Sequence, residues 1–110
     1  MINIKEVIDE ELRELFDNVN TSYPIDWTVF PVIQYSVVEE NNIEKTYMRY
    51  EIDIWNRKGT IAIASEINKL FVNFGFERIS CVEDIKSCNF KHKIISFESF
   101  ITLNDMEGLR

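Results

Sequence analysis

Residues 45–56, Lys45 to Asn56, constrain the fold more than any other stretch of the chain. Met48, Tyr50, Ile52 and Ile54 alternate there with Arg49, Glu51 and Asp53. A period of two is the period of a β-strand, and it sends the apolar set to one face and the charged set to the other. A strand apolar on one face only belongs to an antiparallel sheet with one packed face and one open face. Such a sheet needs partner strands and a cover for its apolar side, so the rest of the chain has to supply both.

Residues 3–19 predict one cover. Ile4, Ile8, Leu12, Leu15 and Val19 recur at helical spacing, flanked by Val7 and Phe16. Asn3 and Glu6 have the spacing of a capping box. The opposite side carries Glu6, Asp9, Glu10, Glu11, Glu14 and Asp17 against Lys5 and Arg13, which places −4 of the chain's −7 in this one helix. That side is a solvated face or a surface for a basic partner or a neighbouring subunit, with Glu10 and Glu14 as its candidate contact residues. A second helix is predicted from Thr60, with Ala64, Ile67, Leu70, Phe71 and Phe74 as its stripe and Gly75 as its left-handed end. It is the more apolar of the two, so it is expected to be the core helix under the sheet.

The remaining strands are predicted at 32–39, preceded by a short one at 26–30, and at 76–85 and 91–103. Pro31 cannot donate to a ladder and marks an edge, a strand start or a bulge. Glu39 to Asn42 reads as a turn and Lys86 to Asn89 as a hairpin connection. The order is then α-β(β)-β-α-β-β: an α+β fold with a mostly antiparallel sheet of four to five strands and two helices packed on it. The 110 residues suit a single domain, with an N-terminal helix at 3–19, sheet and core helix at 25–103, and a polar tail at 104–110.

Charge and composition exclude several functions. Twelve basic against nineteen acidic residues give a net −7, which opposes specific binding to nucleic acid and attraction to anionic membranes. No apolar run approaches the roughly 20 residues of a membrane span, and the acidic start of the chain does not read as a secretory signal. Cys81 and Cys88, seven residues apart in extended chain, would lie roughly 23 Å apart, so two reduced thiols in a cytoplasmic protein are expected. With three glycines, no phosphate-binding glycine motif can be written. His92, the single histidine, stands between Lys91 and Lys93 and is expected to be exposed near a strand start. Glu51 and Asp53 would lie about 7 Å apart on one strand face, a spacing open to paired carboxylates or a metal. With Arg49 beside them, ion pairing on an exposed or intersubunit face is the plainer reading. Trp27, Phe30 and Trp55 have no basic patch beside them and read as packing residues rather than base-stacking ones. These features predict no catalytic set, no cofactor and no metal, but a protein that fits against other proteins.

One further pattern is visible. Phe30 to Tyr35, then Asn41 and Asn42, then Tyr50 to Trp55, a helix ending in Asn73 to Arg78, then Glu83 and Asp84, and His92 and Lys93 before Ile95 to Phe97, follow one another in a fixed order. This order, over residues 24–103, resembles the tail-terminator (tail-completion, minor tail) proteins of tailed bacteriophages and prophages. The chain departs from it at Asn89 to His92, where a glycine often precedes the aromatic–His–Lys segment. The resemblance implies a non-enzymatic virion assembly protein that needs no cofactor. It implies a hexameric ring on the last ring of the tail tube that stops tube polymerisation and offers the head-docking surface. The implied partners are other copies of the chain, the tail tube protein, the head–tail connector proteins and, in contractile particles, the tail sheath. The implied locations are the bacterial cytoplasm during assembly and then the virion neck. Six copies would carry six times −7, or −42, and an acidic lumen would let DNA pass without holding it.

Arg49, Glu51 and Asp53 on the open strand face, with Glu10 and Glu14 on the acidic helix, are the interface residues this reading selects. Two other readings stand beside it. One is a different neck or head–tail connector component. The other is a small acidic inhibitor, an immunity protein or antitoxin, that covers a basic partner with its first helix.

Overall fold

The computed structural model describes residues 4–41, 45–84 and 90–102. Their elements are α1 (Ile4–Leu15), β1 (Asn18–Asn20), β2 (Val32–Asn41), β3 (Lys45–Asn56), α2 (Ile61–Asn73), β4 (Glu77–Asp84) and β5 (Lys91–Thr102). The five strands form one sheet in the order β1-β2-β3-β5-β4. Every pairing is antiparallel except β1 with β2. The fold is the expected α+β arrangement.

β3 sits between β2 and β5 and its alternation organises the core. Ile54 lies opposite Ile33, and Ile52 opposite Tyr35 on one side and Ile95 on the other. Tyr50 lies opposite Phe97. Met48, Tyr50, Ile52 and Ile54 have no exposed surface. This inner face is covered by both helices. Expectation and structure differ here: α1 is as much a core helix as α2. It buries Ile4, Ile8 and Leu12 completely or nearly so, while α2 buries Ile67, Leu70 and Phe71 but leaves Ile61 and Val72 exposed. Overall apolarity measures a helix's total hydrophobic content, whereas burial follows the one stripe that meets the sheet. The aromatic centre of the core is Phe71, stacked on Phe97 at 4.5 Å and edge-on to Tyr50 and Phe76.

The end of α2 is fixed by local chemistry. Gly75 takes φ +86°, its N–H reaches the Val72 carbonyl at 3.0 Å, and the Phe76 N–H reaches the Phe71 carbonyl at 3.0 Å. This is the paired closure of a Schellman motif, with the Phe71–Phe76 ring contact as its apolar clasp. At the other end Thr60 occupies the N-cap position, buried and without a side-chain capping bond.

The first helix is shorter than predicted. It ends at Leu15, and residues 18–20 form a strand instead of a last helical turn. Asn18 donates to the carbonyls of Asp26 and Val29, and Asn20 donates to the carbonyl of Ile33, so both side chains fasten this segment to loop and sheet backbone. Asn competes well for such bonds and poorly for a helix interior. Val19 is buried in this strand, and its apolar side chain also falls at helical spacing from Leu12 and Leu15. The short strand expected at 26–30 is irregular loop, so the extra strand precedes that loop rather than lying within it. Strand β2 begins directly after Pro31, which follows a cis peptide bond. It runs on through the residues expected to turn at Glu39–Asn41. Asn3, the hairpin connection at 86–89 with Cys88, and the tail at 104–110 lie outside the described residues.

Polar bonds tie α1 to the sheet, and Arg13 supplies one by donating to the Val19 carbonyl of β1 at 2.9 Å. The Tyr35 hydroxyl donates to Asp9, and Arg13 pairs with the same carboxylate at 2.9 Å. The Tyr35 bond, more than Arg13, holds Asp9 below its ordinary value of 3.8 against the opposing effect of burial. Burial, reinforced by Asp9, pushes Tyr35 up to about 12. A lowered carboxylate stabilises the fold above the ordinary aspartate range and loses that contribution as pH falls through it; a raised phenol stabilises it below pH 10 and loses that between about 10 and 12. Tyr35→Phe is therefore expected to cost about 1–2 kcal/mol at pH 7 in urea unfolding. It should also flatten the loss of stability below pH 4, whereas an unchanged acid limb would place the Asp9 effect elsewhere.

Candidate functional site

The outer face of the sheet carries the charged residues of β3, and it is not uniformly open. At one end the loop of residues 21–31 folds over it. Trp27 meets Trp55 edge-on at 5.2 Å and stacks on Phe90 at 5.9 Å, while Phe30 meets Phe90 at 5.1 Å under the Arg57 guanidinium. The Trp27 indole donates to the Pro24 carbonyl at 3.1 Å, which closes the loop on itself. Val32, on this outer face, is completely buried by the cover. Trp27 thus packs on Trp55, and Phe30 joins the same cluster through Phe90, so all three are packing residues as expected.

Beneath that cover lies the chemically most distinct group in the molecule. His92 on β5 meets Asp84 of β4 through Nδ1 at 3.1 Å and Asp53 of β3 through Nε2 at 3.3 Å. Its ring stacks on Trp55 at 4.4 Å with 12° between planes. One imidazole thereby joins three adjacent strands. Both nitrogens can donate to these carboxylates only when the ring carries two protons; with one, a bare nitrogen faces a carboxyl oxygen. Burial pushes Asp53 above its ordinary value of 3.8, the nearby Glu51 adds to that, and His92 pulls in the opposite direction.

His92 is 8% exposed, which overturns the expectation of a surface histidine. The lysines beside it are the reason for the error. In a strand, neighbours point to opposite faces, so Lys91 and Lys93 describe the face that His92 does not share. The signal that identifies the site is a pairing one: Asp84 lies directly opposite His92 across the hairpin, and Asp53 lies two residues before Trp55, which lies opposite His92 on the other side.

The residues selected from the sequence separate into two groups. Arg49 and Glu51 are exposed on the outer face of β3; Arg49 lies opposite Glu98, and Tyr47 donates to Glu98 at 3.1 Å. Asp53 shares their face but is half-buried and committed to His92, so it is not an open surface charge. Glu10 and Glu14 are exposed on α1, on the other side of the sheet. The structure does not bring them together with Arg49, Glu51 and Asp53.

Among the described residues no three acidic, histidine or cysteine side chains are grouped to hold a metal ion. No helix among them is long and apolar enough to cross a membrane. Cys81 is an exposed free thiol on β4. A shallow groove runs between the ends of the two helices, lined by Glu11, Leu15, Lys69, Leu70 and Phe74 among others. No protein-family model matches the chain, and a search of curated proteins finds no match.

The Asp53–His92–Asp84 bridge has the geometry of a structural clamp on β4. His92→Ala leaves two carboxylates facing each other beneath Trp55 and is expected to cost about 2–3 kcal/mol in urea unfolding. Glu51→Lys, on the open part of the same face, should stay within about 0.5 kcal/mol. Equal losses for the two variants would contradict the clamp.

Proposed function

We propose that the chain is a tail-terminator protein of a tailed phage or prophage. In this reading it forms a hexameric ring on the last ring of the tail tube, ends tube growth and offers a docking surface to the head–tail connector and, in contractile particles, the sheath. The resemblance over residues 24–103 introduces the reading. The observation that carries it furthest is the state of β4. All eight of its residues are at least partly exposed, and Ile79 and Val82 leave about half their surface in water. A sheet that ends in so bare an edge suits a molecule completed by association.

The charge supports the same reading. Glu10, Glu11 and Glu14 form an exposed acidic strip on α1, separate from the sheet's outer face. Such a strip is suited to a protein partner and unsuited to holding DNA that passes through a ring. The role is one of assembly, without catalysis or cofactor, in the cytoplasm of the producing cell and then at the virion neck.

Mixing the purified chain with a tail tube protein from the same phage or prophage tests this directly. Light scattering and electron microscopy are expected to show six copies capping each tube, and tubes that stop lengthening once capped. Binding to a head connector but not to the tube would instead make the chain a connector component. Stoichiometric capture of a basic toxin would make it an inhibitor.

A further inference from the structure

The geometry points to a specific seam between copies: the open edge of β4 in one copy adds to the open edge of β2 in the next. This inference rests on the ring-forming role proposed above and names the surface that makes the ring.

Both edges belong to the same sheet and lie on its opposite sides. Among the described residues β4 pairs only with β5, and none of them lies in a ladder on the far side of Glu77–Glu83. On the other side β1 covers β2 only over Val32, Ile33 and Gln34. Among the described residues the remaining seven of β2, Tyr35–Asn41, have their outer side unmatched. The two unmatched stretches are similar in length.

Strand direction matches as well. Each step from β2 through β3 and β5 to β4 is antiparallel, so β4 runs opposite to β2. A second copy placed beside the first, in the same orientation, sets its β2 antiparallel to β4 and continues the alternation. Faces also agree. Ser36, Glu51, Ser96 and Ser80 form one row across the sheet, so Ser80 at one edge and Ser36 at the other share the outer face.

The charges of β4 stand at its ends, Glu77, Arg78, Glu83 and Asp84, while its middle, Ile79 to Val82, carries no charge and no proline. A bulge at Ile79 interrupts the ladder near one end, so Ser80–Glu83 is the regular stretch on offer. The occupant is a second copy because the same molecule carries the complementary edge. A contact between two different edges is head-to-tail, and head-to-tail contacts close into rings when the rotation per copy allows. Sheet twist supplies such a rotation. Backbone bonds would give the seam its affinity, as in other strand additions.

Cross-linking distinguishes this seam from others. In the full chain with Cys81→Ser and Cys88→Ser, Ser36→Cys and Val82→Cys are introduced together and singly, and a short bifunctional thiol reagent is added during assembly with tail tube protein. The double variant is expected to give a ladder up to six chains, and each single variant none. A cross-linked dimer from Val82→Cys alone would mean that β4 pairs with β4, and would overturn the inference. The paired substitution Ile79→Lys with Val82→Lys, at exposed positions, is expected to leave urea unfolding unchanged and abolish ring formation. Rings that survive it overturn the seam and leave the terminator reading standing. Wild-type chains that never form rings on tubes overturn both.

Discussion

Burial of one face of β3 is the constraint on which the rest of the structure depends. Met48, Tyr50, Ile52 and Ile54 meet Ile33 and Tyr35 on one side and Ile95 and Phe97 on the other. Each such side chain contributes roughly 1.5–3 kcal/mol when removed from water, so a slip by one residue would forfeit the whole set. The register in turn decides everything on the outer face. It places Asp53, His92 and Asp84 within reach of one another, and it places Trp55 under the loop that carries Trp27 and Phe30.

One imidazole joins β3, β5 and β4, and aromatic side chains shut that site from water. β4 itself, at the edge of the sheet, is held by β5, by this clamp and by contact with α2. Anchoring β4 through His92 holds an exposed strand in a defined position without covering it. That combination suits an edge meant to receive another chain: a fixed strand loses less conformational entropy on pairing than a loose one.

Period and capping made most of the fold legible in the sequence. The strand at 45–56 is found with both its bounds, because its alternation is unbroken. Gly75 marks the end of α2, because only a left-handed residue closes the helix onto Phe76. The end of α1 was not legible, since Val19 is apolar at helical spacing and buried in a strand as well. The bonds of Asn18 and Asn20 that decide between the two are made to residues distant in the chain. The candidate site was half legible. Asp53 stands out in the sequence, but its partner does not, because the neighbours of His92 in the chain, Lys91 and Lys93, lie on the opposite face and the residues beside it in space come from other strands. A cross-strand cluster becomes visible only when register is known.

In the proposed role the buried chemistry of this molecule serves stability and its exposed edge serves association. Amide hydrogen exchange across β4, measured on the free chain and after mixing with tail tubes, tests that division most directly. Rapid exchange is expected at the outward-facing amides of β4 in the free chain and strong protection there after assembly, with matching protection in the second half of β2. Unchanged exchange in β4, with new protection confined to the acidic face of α1, would contradict it.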